Sequence, residues 1–523
     1  MADDRLLLGI DIGTSSSKGV LVDLGGRVIA EHAVPHGFDM PRPGWAEQDA
    51  DAIWWADFCA ISRALIAKAA IDASRIAGVA VSAIAPTMLP LDEHGRPLRP
   101  AILYGIDTRA GDEIAEMTAD LGVDAIFART GHTLSAQSVG PKVLWYRKNQ
   151  PEHFHKTRKI VTAATYLVFK LTDNFVVDNY VAPYFTPFFD VNALAWHKDW
   201  VETVCPLDWL PETRWSTERA GEVTANAAAE TGIPRGTPVA VGTADALAEA
   251  VAAGAVSNGD LMVMYGTTMF LIQTTAQYRP HRDLWASVHL RPGAAILAAG
   301  MSTSGALLSW FRDELAGDER AAAAAASENA FALLSDRATR TPAGSAGLIT
   351  LPYFSGERTP LNNVHAKGLF FGLTLSHSRA HLYRSCLEGI AYGLRHNIEA
   401  MGEVDAVPRR LVAIGGGAQD ALWTQICSDV TGLPQDLPSQ TIGAAYGDAY
   451  IAGLAAGLFS DFAPLQDEWA KIARRIQPRP ETKAIYDELY SIYRDLYRDN
   501  RRHMRRLSQH RSPDHLGQST GQA

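Results

Sequence analysis

Along residues 6–32 the apolar and polar positions read as strand, tight turn, strand, turn, strand. The run "LLLGIDIG" is apolar up to Asp11, breaks at Gly13 and the hydroxyl residues after it, and resumes as "KGVLVDL", before Gly25-Gly26 lead into "RVIAEH". A helix after the first glycine would need apolar residues at i, i+3 and i+4. Here Val20 and Val22 alternate with Leu21 and Asp23, so the turn feeds a strand. Helical spacing sets in over 51–70, followed by a buried strand "IAGVAVSAI" and a hairpin "LPLDEHGRPLRPAIL" turning at His94-Gly95-Arg96-Pro97. Strands and helices alternate on through "PVAVGTADALAEAVAAG". After Ser257-Asn258-Gly259 comes a second strand–turn–strand unit, "DLMVMYGTTMFLIQTT", bent at Gly266-Thr267-Thr268. Further on, the spacing predicts helices over 304–316, 320–336 and 381–401, a strand "RLVAIGGG", a helix over 422–431, and a last amphipathic helix with Tyr486, Leu489, Tyr493 and Leu496 on one stripe.

The echo of the first turn halfway down the chain reads as a repeat of supersecondary structure, with the boundary near 245–254. A length of 523 residues exceeds what one hydrophobic core supports, which also predicts two domains. They are expected over 1–246 and 247–507, each offering a Gly/Thr turn to a shared cleft, with the polar stretch 508–523 as a disordered tail. Composition is that of a globular protein, 47% hydrophobic and 20% charged, and the formal charge of -10 disfavours nucleic acid or an anionic membrane as a partner. Cys59, Cys205, Cys386 and Cys427 are scattered, with no C-x-x-C pair, so neither a disulfide framework nor a zinc knuckle is signalled. The start "MADDRLLLGIDIG" is acidic and interrupted by Asp11, unlike a signal peptide, and the alanine-rich stretches carry Asp72, Arg75, Asp245 and Glu249, too many charges for a membrane span. The expectation is a soluble, cytoplasmic protein.

The chemistry sits at the turns. Glycine lets the backbone approach a phosphate, the N–H groups of a tight turn point their positive ends at it, and Thr14, Ser15, Ser16 and Lys18 add donors and charge. The Walker motif is excluded, because it needs G-x-x-x-x-G-K-[ST] opening a helix and here Lys18 precedes Gly19 ahead of a strand. Asp11, a carboxylate among apolar neighbours, is costly unless it serves a cation or a proton. Asp245 follows the strand "PVAVG" at the head of a helix, where it suits a general base that accepts the proton of an attacking hydroxyl, and equally a helix N-cap, a role open also to Thr243. The triplet Gly415 to Gly417 between strand and helix offers a flat surface for a nucleotide, or plain close packing. The pair His377 and His381 has metal-compatible spacing but no third ligand, and reads as a helix start. The run Arg498, Arg501, Arg502, Arg505 and Arg506 reads as a solvated face.

Taken together, "GIDIGTSSSK", "PGWAEQDADAIWW", "PKVLWYRKNQPE", "GTADALAEAVAAG", "YGTTMF", "SGERTPLNNVHAKGLFFGL", "HLYRSCLEGIAYGLR" and "IGGGAQDALW" resemble, in order, the motifs of the FGGY family of carbohydrate kinases, closest to the xylulokinase type. The resemblance implies an α/β fold of two actin-like domains, of the ribonuclease H-like type, flanking a catalytic cleft. It implies ATP and Mg²⁺ as cofactors, a small sugar or polyol as substrate, and a homodimer as a common assembly. By motif, Asp245 would be the catalytic base and Asp11 would hold Mg²⁺ through water. Thr14, Ser15, Ser16, Lys18, Gly266 and Thr267 would meet the phosphates, and Gly305, Gly416, Gly417 and Ala418 would line the nucleotide.

Departures from the family pattern cluster where the sugar is expected. A Gln-Met-His-Gly stretch is replaced by Ile84-Ala85-Pro86-Thr87, and Trp-x-Asp-x-Arg becomes Gly105-Ile106-Asp107-Thr108-Arg109. Asp-x-Ser-x-Ala becomes Asp178-Asn179-Tyr180-Val181-Ala182. Ala85, Pro86, Thr87, Asp107 and Arg109, with Asp245, are therefore the candidate substrate residues, and changes among polar groups there alter which hydroxyl pattern is accepted. The expected activity is phosphorylation of a primary hydroxyl on a ketopentose such as xylulose. The alternatives are a kinase of another sugar or polyol, of the ribulose or erythritol type, and an ATP-switched, non-catalytic actin-like binding module.

Overall fold

The computed structural model describes residues 4–440 and 442–510. Of the expected tail 508–523, Ser508–His510 form a 3-10 turn, and the rest lies outside the described residues. The chain packs as two compact units that are discontinuous in sequence. The first comprises Met1–Asp260, Gln273–Leu297 and Pro438–Lys471, the second Leu261–Ile272, Ala298–Leu437 and Ile472–Ala523.

The first unit is organised by a seven-stranded mixed sheet. Its order is Arg219–Glu222, Pro238–Ala240, Ile76–Ala83, Leu6–Ile12, Ser16–Asp23, Val28–Pro35, with Thr243–Ala244 also pairing Ile76–Ala83. The strand–turn–strand–turn–strand reading of the opening residues is thus correct, and Leu6–Ile12 pairs antiparallel with Ser16–Asp23 but parallel with Ile76–Ala83. The expected helix over 51–70 begins as a π-helical turn, Ala50–Trp55, whose first free amides are taken up by the side chain of Asp49 (2.9 Å from Asp51 N, 2.8 Å from Ala52 N), and continues as Ala56–Ala69. Its Trp54, Phe58, Ile61 and Leu65 are fully buried in the core formed with Leu8, Ile10, Val79 and Val81. The small hairpin turns over 92–95, two residues earlier than expected, because Gly95 N donates to Asp92 O (3.1 Å) and the Asp92 side chain accepts from Arg96 N (2.9 Å) and His94 N (2.8 Å), and Leu89–Leu91 pairs Lys159–Val161.

The helix Ala444–Ala455 packs into this unit so closely that glycine is required beneath it. A Cβ on Gly9 would stand 2.0 Å from the carbonyl oxygen of Ala445, and one on Gly447 would stand 1.9 Å from that of Ala248. Such contacts bring helix backbone against strand backbone and leave no side chain between them.

In the second unit, Asp260–Tyr265 lies between Met269–Thr275 and Arg410–Ile414, with Gln435–Pro438 and Ile472–Ile476 beyond. Helices Gly305–Leu315, Arg379–Gly402, Ala421–Thr431 and Lys483–Leu507 match the predicted stretches, and Tyr486, Leu489, Tyr493 and Leu496 of the last are buried as its stripe required. The single helix expected over 320–336 is two, Gly317–Ala326 and Ala330–Thr339. Ser327 turns left-handed (φ 55°), and Asn329 caps the second through Phe331 N at 2.9 Å. His381 closes a capping box with Ser378, which gives the histidine pair its helix-start role.

Gly9→Ala is expected to lower the stability of the first unit by about 2–3 kcal/mol, because the added methyl meets backbone that cannot yield. Gly37→Ala, where nothing lies within 4 Å of the new carbon, should stay within about 0.5 kcal/mol of the parent in the same urea titration.

Candidate functional site

In the first unit the parallel register of three strands builds one polar row. Asp11 pairs Ser82, and Ser82 pairs Thr243. Two residues past Thr243, Asp245 opens the helix Asp245–Ala252. These positions stand at the carboxyl ends of their strands, where open α/β sheets place ligands. Asp11, Asp245 and Glu249 are all half-buried. Desolvation, then the neighbouring Asp245, push Asp11 well above the usual carboxylate range, against the hydroxyl of Ser82, 3.1 Å from its Oδ1. Asp245 is raised to about 6 by the loss of water around it, and Glu249, one turn along the same helix, to about 7 by burial and by Asp245. The opposing charge is Lys18, which the hairpin register sets directly across from Asp11.

The capping alternative for Asp245 does not hold. Ala244 occupies the N-cap position with no side-chain bond, and the hydroxyl of Thr243 is turned the other way, donating to Asp178 Oδ2 at 2.7 Å. Among the described residues Asp245 itself accepts only from its neighbour's amide, Ala246 N, at 2.7 Å. Its carboxylate is left available.

The turn after Asp11 closes through Gly13 N donating to Ser16 O at 3.1 Å. Gln48, fully buried, donates from Nε2 to Thr14 O (3.1 Å) and Gly37 O (3.0 Å), and takes the indole N–H of Trp54 on its Oε1 (2.9 Å). Thr14 Oγ1 lies 3.2 Å from the Tyr104 hydroxyl, while Ser15 and Lys18 are exposed and Ser16 half-buried. Gln48 lies within one of the motifs that carry the resemblance, but only the fold reveals it as the brace of this turn.

The candidate substrate residues fall into two groups. Ala85 and Pro86 are joined by a cis bond, and the Thr87 hydroxyl, fully buried, accepts from Ala163 N at 2.8 Å, so it serves a helix start. Asp107 accepts from Ala46 N (2.7 Å) and from Arg109 Nη2 (2.7 Å). Arg109 also donates to Glu47 (2.7 Å) and packs against the rings of Trp45 and Trp145, 4.0 and 5.0 Å from their centroids. Glu47 is shared with Arg99. Where the family pattern carries tryptophan, Gly105 donates its N–H to Gln137 Oε1 at 3.1 Å, and any Cβ there would meet that side chain at 2.9 Å. Gln137 fills the space beside Gly105, a contact that no local signal at residue 137 could have announced.

The second unit holds a cavity of about 670 Å³ that gathers five of the candidate nucleotide residues, Gly266, Thr267, Gly305, Gly416 and Gly417. The N–H groups of Gly305 and Ala306 are taken by the carbonyls of Gly266 (2.9 Å) and Thr267 (3.0 Å), which locks the Gly/Thr bend to the start of the following helix. The glycine triplet divides its work. A Cβ on Gly415 would meet Tyr265 O at 2.8 Å and one on Gly417 the Trp423 ring at 2.4 Å, whereas Gly416 faces open space. Ala418, buried, stands behind the triplet and is not among the lining residues. Asp420, Tyr383 and Trp423 also line the cavity, and Trp423 Nε1 is buried there without a partner among the described residues. Buried polar atoms left unsatisfied beside a cavity are suited to a ligand that completes them.

Comparison with known proteins agrees with this arrangement. The model of the FGGY carbohydrate kinase N-terminal domain matches residues 6–252, and that of the C-terminal domain matches residues 261–456. The chain is 30% identical to the xylulose kinase of Escherichia coli (93% of this chain, all of that one) and 30% identical to the autoinducer-2 kinase of Enterobacter sp. (94% of each). The crystal structure of xylulose kinase from Rhodospirillum rubrum superposes with a TM-score of 0.88 at 33% identity, covering 96% of this chain and all of that one. Among the described residues no helix is long and apolar enough to cross a membrane. With both family domains matched over most of its length, the chain belongs to the FGGY family of carbohydrate kinases: it is a phosphotransferase acting on a sugar, of the two-domain actin-like fold.

Proposed function

We propose that the protein transfers the terminal phosphoryl group of ATP to a primary hydroxyl of a ketopentose, xylulose being the first candidate, with Asp245 as general base. What carries this reading is the carboxylate of Asp245. It is freed of capping duty, held above the usual carboxylate range and placed next to Asp11 at the strand ends. Asp245 accepts the proton of the attacking hydroxyl as the bond to phosphorus forms, a contribution of about 10²–10⁴-fold. In the first unit Thr14, Ser15, Ser16 and Lys18 are assigned to phosphate contacts, and in the second unit Gly266 and Thr267 are assigned to the nucleotide's phosphates. Gly305, Gly416 and Gly417 border the nucleotide.

The donors fit a hydrated magnesium ion better than a caged one. Among the described residues no three acidic, histidine or cysteine side chains converge at ligating distance. Mg²⁺ usually keeps several waters and leans on one or two carboxylates plus the phosphates, and Asp11, in a cluster with excess negative charge, suits that role. When bound, Mg²⁺ neutralises charge on the phosphate oxygens.

A second reading keeps the chemistry and changes the acceptor to another sugar or polyol, of the ribulose or erythritol type. It is favoured by the engagement of Thr87, Asp107 and Arg109 in internal hydrogen bonds and by Gln137 filling the space beside Gly105. The match to an autoinducer-2 kinase at the same identity as to a xylulose kinase points the same way. A coupled ADP-release assay over ketoses and polyols separates the two readings, with xylulose expected to give the highest kcat/KM.

Asp245→Asn is expected to cut kcat at least 10²-fold while nucleotide affinity, measured calorimetrically, stays within threefold; turnover near the parent's would remove the assigned base. Because the base works deprotonated and is raised to about 6, kcat/KM should fall tenfold per pH unit below that value, and a profile flat down to pH 5 would contradict the assignment. Gly416→Val projects into the open side of the cavity without touching the core. It should raise the KM for ATP by about tenfold with an unchanged melting temperature.

A further inference from the structure

Thr14, in the turn after Asp11, is held at two points. Its carbonyl oxygen accepts from the buried Gln48 side chain (3.1 Å), and its hydroxyl lies 3.2 Å from the hydroxyl of Tyr104, 90 residues further along the chain. The first contact fixes the backbone of the turn. The second fixes only the direction of a side chain, and it comes from the segment that leads into the candidate substrate residues Asp107 and Arg109.

Tyr104 is mounted firmly enough to hold that direction. Leu103 N donates to Ala46 O at 3.0 Å, Asp107 N to Tyr104 O at 2.9 Å, and Gly105 N to Gln137 Oε1 at 3.1 Å. Behind them stands Lys142, 1% exposed, whose ammonium donates to Leu103 O (2.6 Å) and Tyr104 O (3.2 Å). Those two carbonyls belong to the peptide groups on either side of the Tyr104 Cα, so one cation grips the backbone from which the ring hangs. A buried ammonium is costly, and burial pushes this one's pKa down to about 7.

The contact with Thr14 also has a sense. Each hydroxyl carries one proton and can give or accept, and a phenol is the better donor of the two. An ionised phosphate oxygen only accepts. With a phosphate in front of Thr14, the threonine proton goes to the phosphate, so the Tyr104 proton must make the bond behind it. Hydrogen bonds in such a chain polarise one another, and the first strengthens the second.

We propose that Tyr104 is a positioning residue for phosphoryl transfer: its hydroxyl donates to Thr14 Oγ1 and turns the Thr14 proton toward the phosphoryl group, joining the acceptor-side segment to the phosphate turn. The inference rests on Thr14 meeting the phosphates, as proposed above.

A double-mutant cycle tests it, read as the single-turnover rate of phosphoryl transfer from ATP to whichever ketose or polyol gives the highest kcat/KM. Thr14→Val deletes a donor to the transition state and should slow transfer about 10²-fold. Tyr104→Phe leaves that donor but not its direction. It should slow transfer about tenfold, while the calorimetric Kd for ATP and the KM for the acceptor stay within threefold. In the Thr14→Val background Tyr104→Phe should cost less than twofold; beside Thr14→Ser, which keeps a hydroxyl, it should again cost about tenfold. A tyrosine that only supported the fold would slow every background alike. The proposal is overturned by a Tyr104→Phe rate within twofold of the parent's, or by an equal loss whether residue 14 is threonine or valine. Should Thr14→Val not melt cooperatively, Thr14→Ala takes its place in the cycle. A slowed Thr14→Val beside an unaltered Tyr104→Phe removes only the tyrosine's role, whereas Thr14→Val at the parent's rate removes the phosphate contact on which that role was argued.

Discussion

The rest of the first unit is arranged around a crowd of carboxylates gathered in a place poor in water. Asp11, Asp245 and Glu249 face one another at the ends of parallel strands and the start of a helix, and the cation set against them is Lys18. Left alone, such a group repels itself, and each member's affinity for protons rises accordingly. On the proposed reading the cluster is put to use, because Asp11 would face a cation and Asp245 would receive the proton of the attacking hydroxyl. Raised carboxyls in a cleft are structurally expensive and chemically useful for the same reason. The braces around the cluster serve to keep it from relaxing: Gln48 holds the turn, Asp178 holds Thr243, and the glycines let a helix press against the sheet.

How much of this could be read from the chain depended on how local each signal was. The opening hairpin was legible because alternation and a glycine turn are nearest-neighbour patterns, and the register then set Lys18 across from Asp11 with nothing further required. Asp245 was legible as a carboxylate heading a helix, but its freedom from capping was not, since that depends on Thr243 preferring a carboxylate 65 residues earlier in the chain. The break at Ser327 was hidden in an alanine-rich stretch whose propensity favours helix throughout, and a single left-handed residue overrode it. The long-range members were invisible. Gln137 reaches the empty place at Gly105 only in three dimensions, and the polar lining combines Tyr383 of one helix with Asp420 and Trp423 at the head of another.

The glycines illustrate the same division. Three in a row after a strand suggested either a nucleotide surface or close packing, and the two turn out to be assigned to different residues. Gly415 and Gly417 satisfy backbone and ring contacts, while the one between them is bare toward the cavity. Packing constrains the outer pair, which leaves the middle residue's surface flat for a ligand. A sequence cannot separate these roles, because absence of a side chain looks the same whatever fills the space.

Asp448 shows how far the carboxylate cluster reaches. It is fully buried on the helix Ala444–Ala455. Its Oδ2 accepts from Ser82 N at 3.1 Å and lies 2.6 Å from Ser82 Oγ, while its Oδ1 has no partner among the described residues. The same Ser82 oxygen is 3.1 Å from Asp11 Oδ1. A hydroxyl has one proton to give, so it cannot donate to both carboxyls, and one of the two contacts must be made with a proton carried by the acid itself. Burial pushes both Asp11 and Asp448 well above the usual range, and the pair shares the Ser82 hydroxyl between them, so one of the two carries a proton. The helix that the glycines admit so closely therefore brings a second buried carboxyl against Ser82, and the backbone contact and the electrostatics of the site become a single constraint.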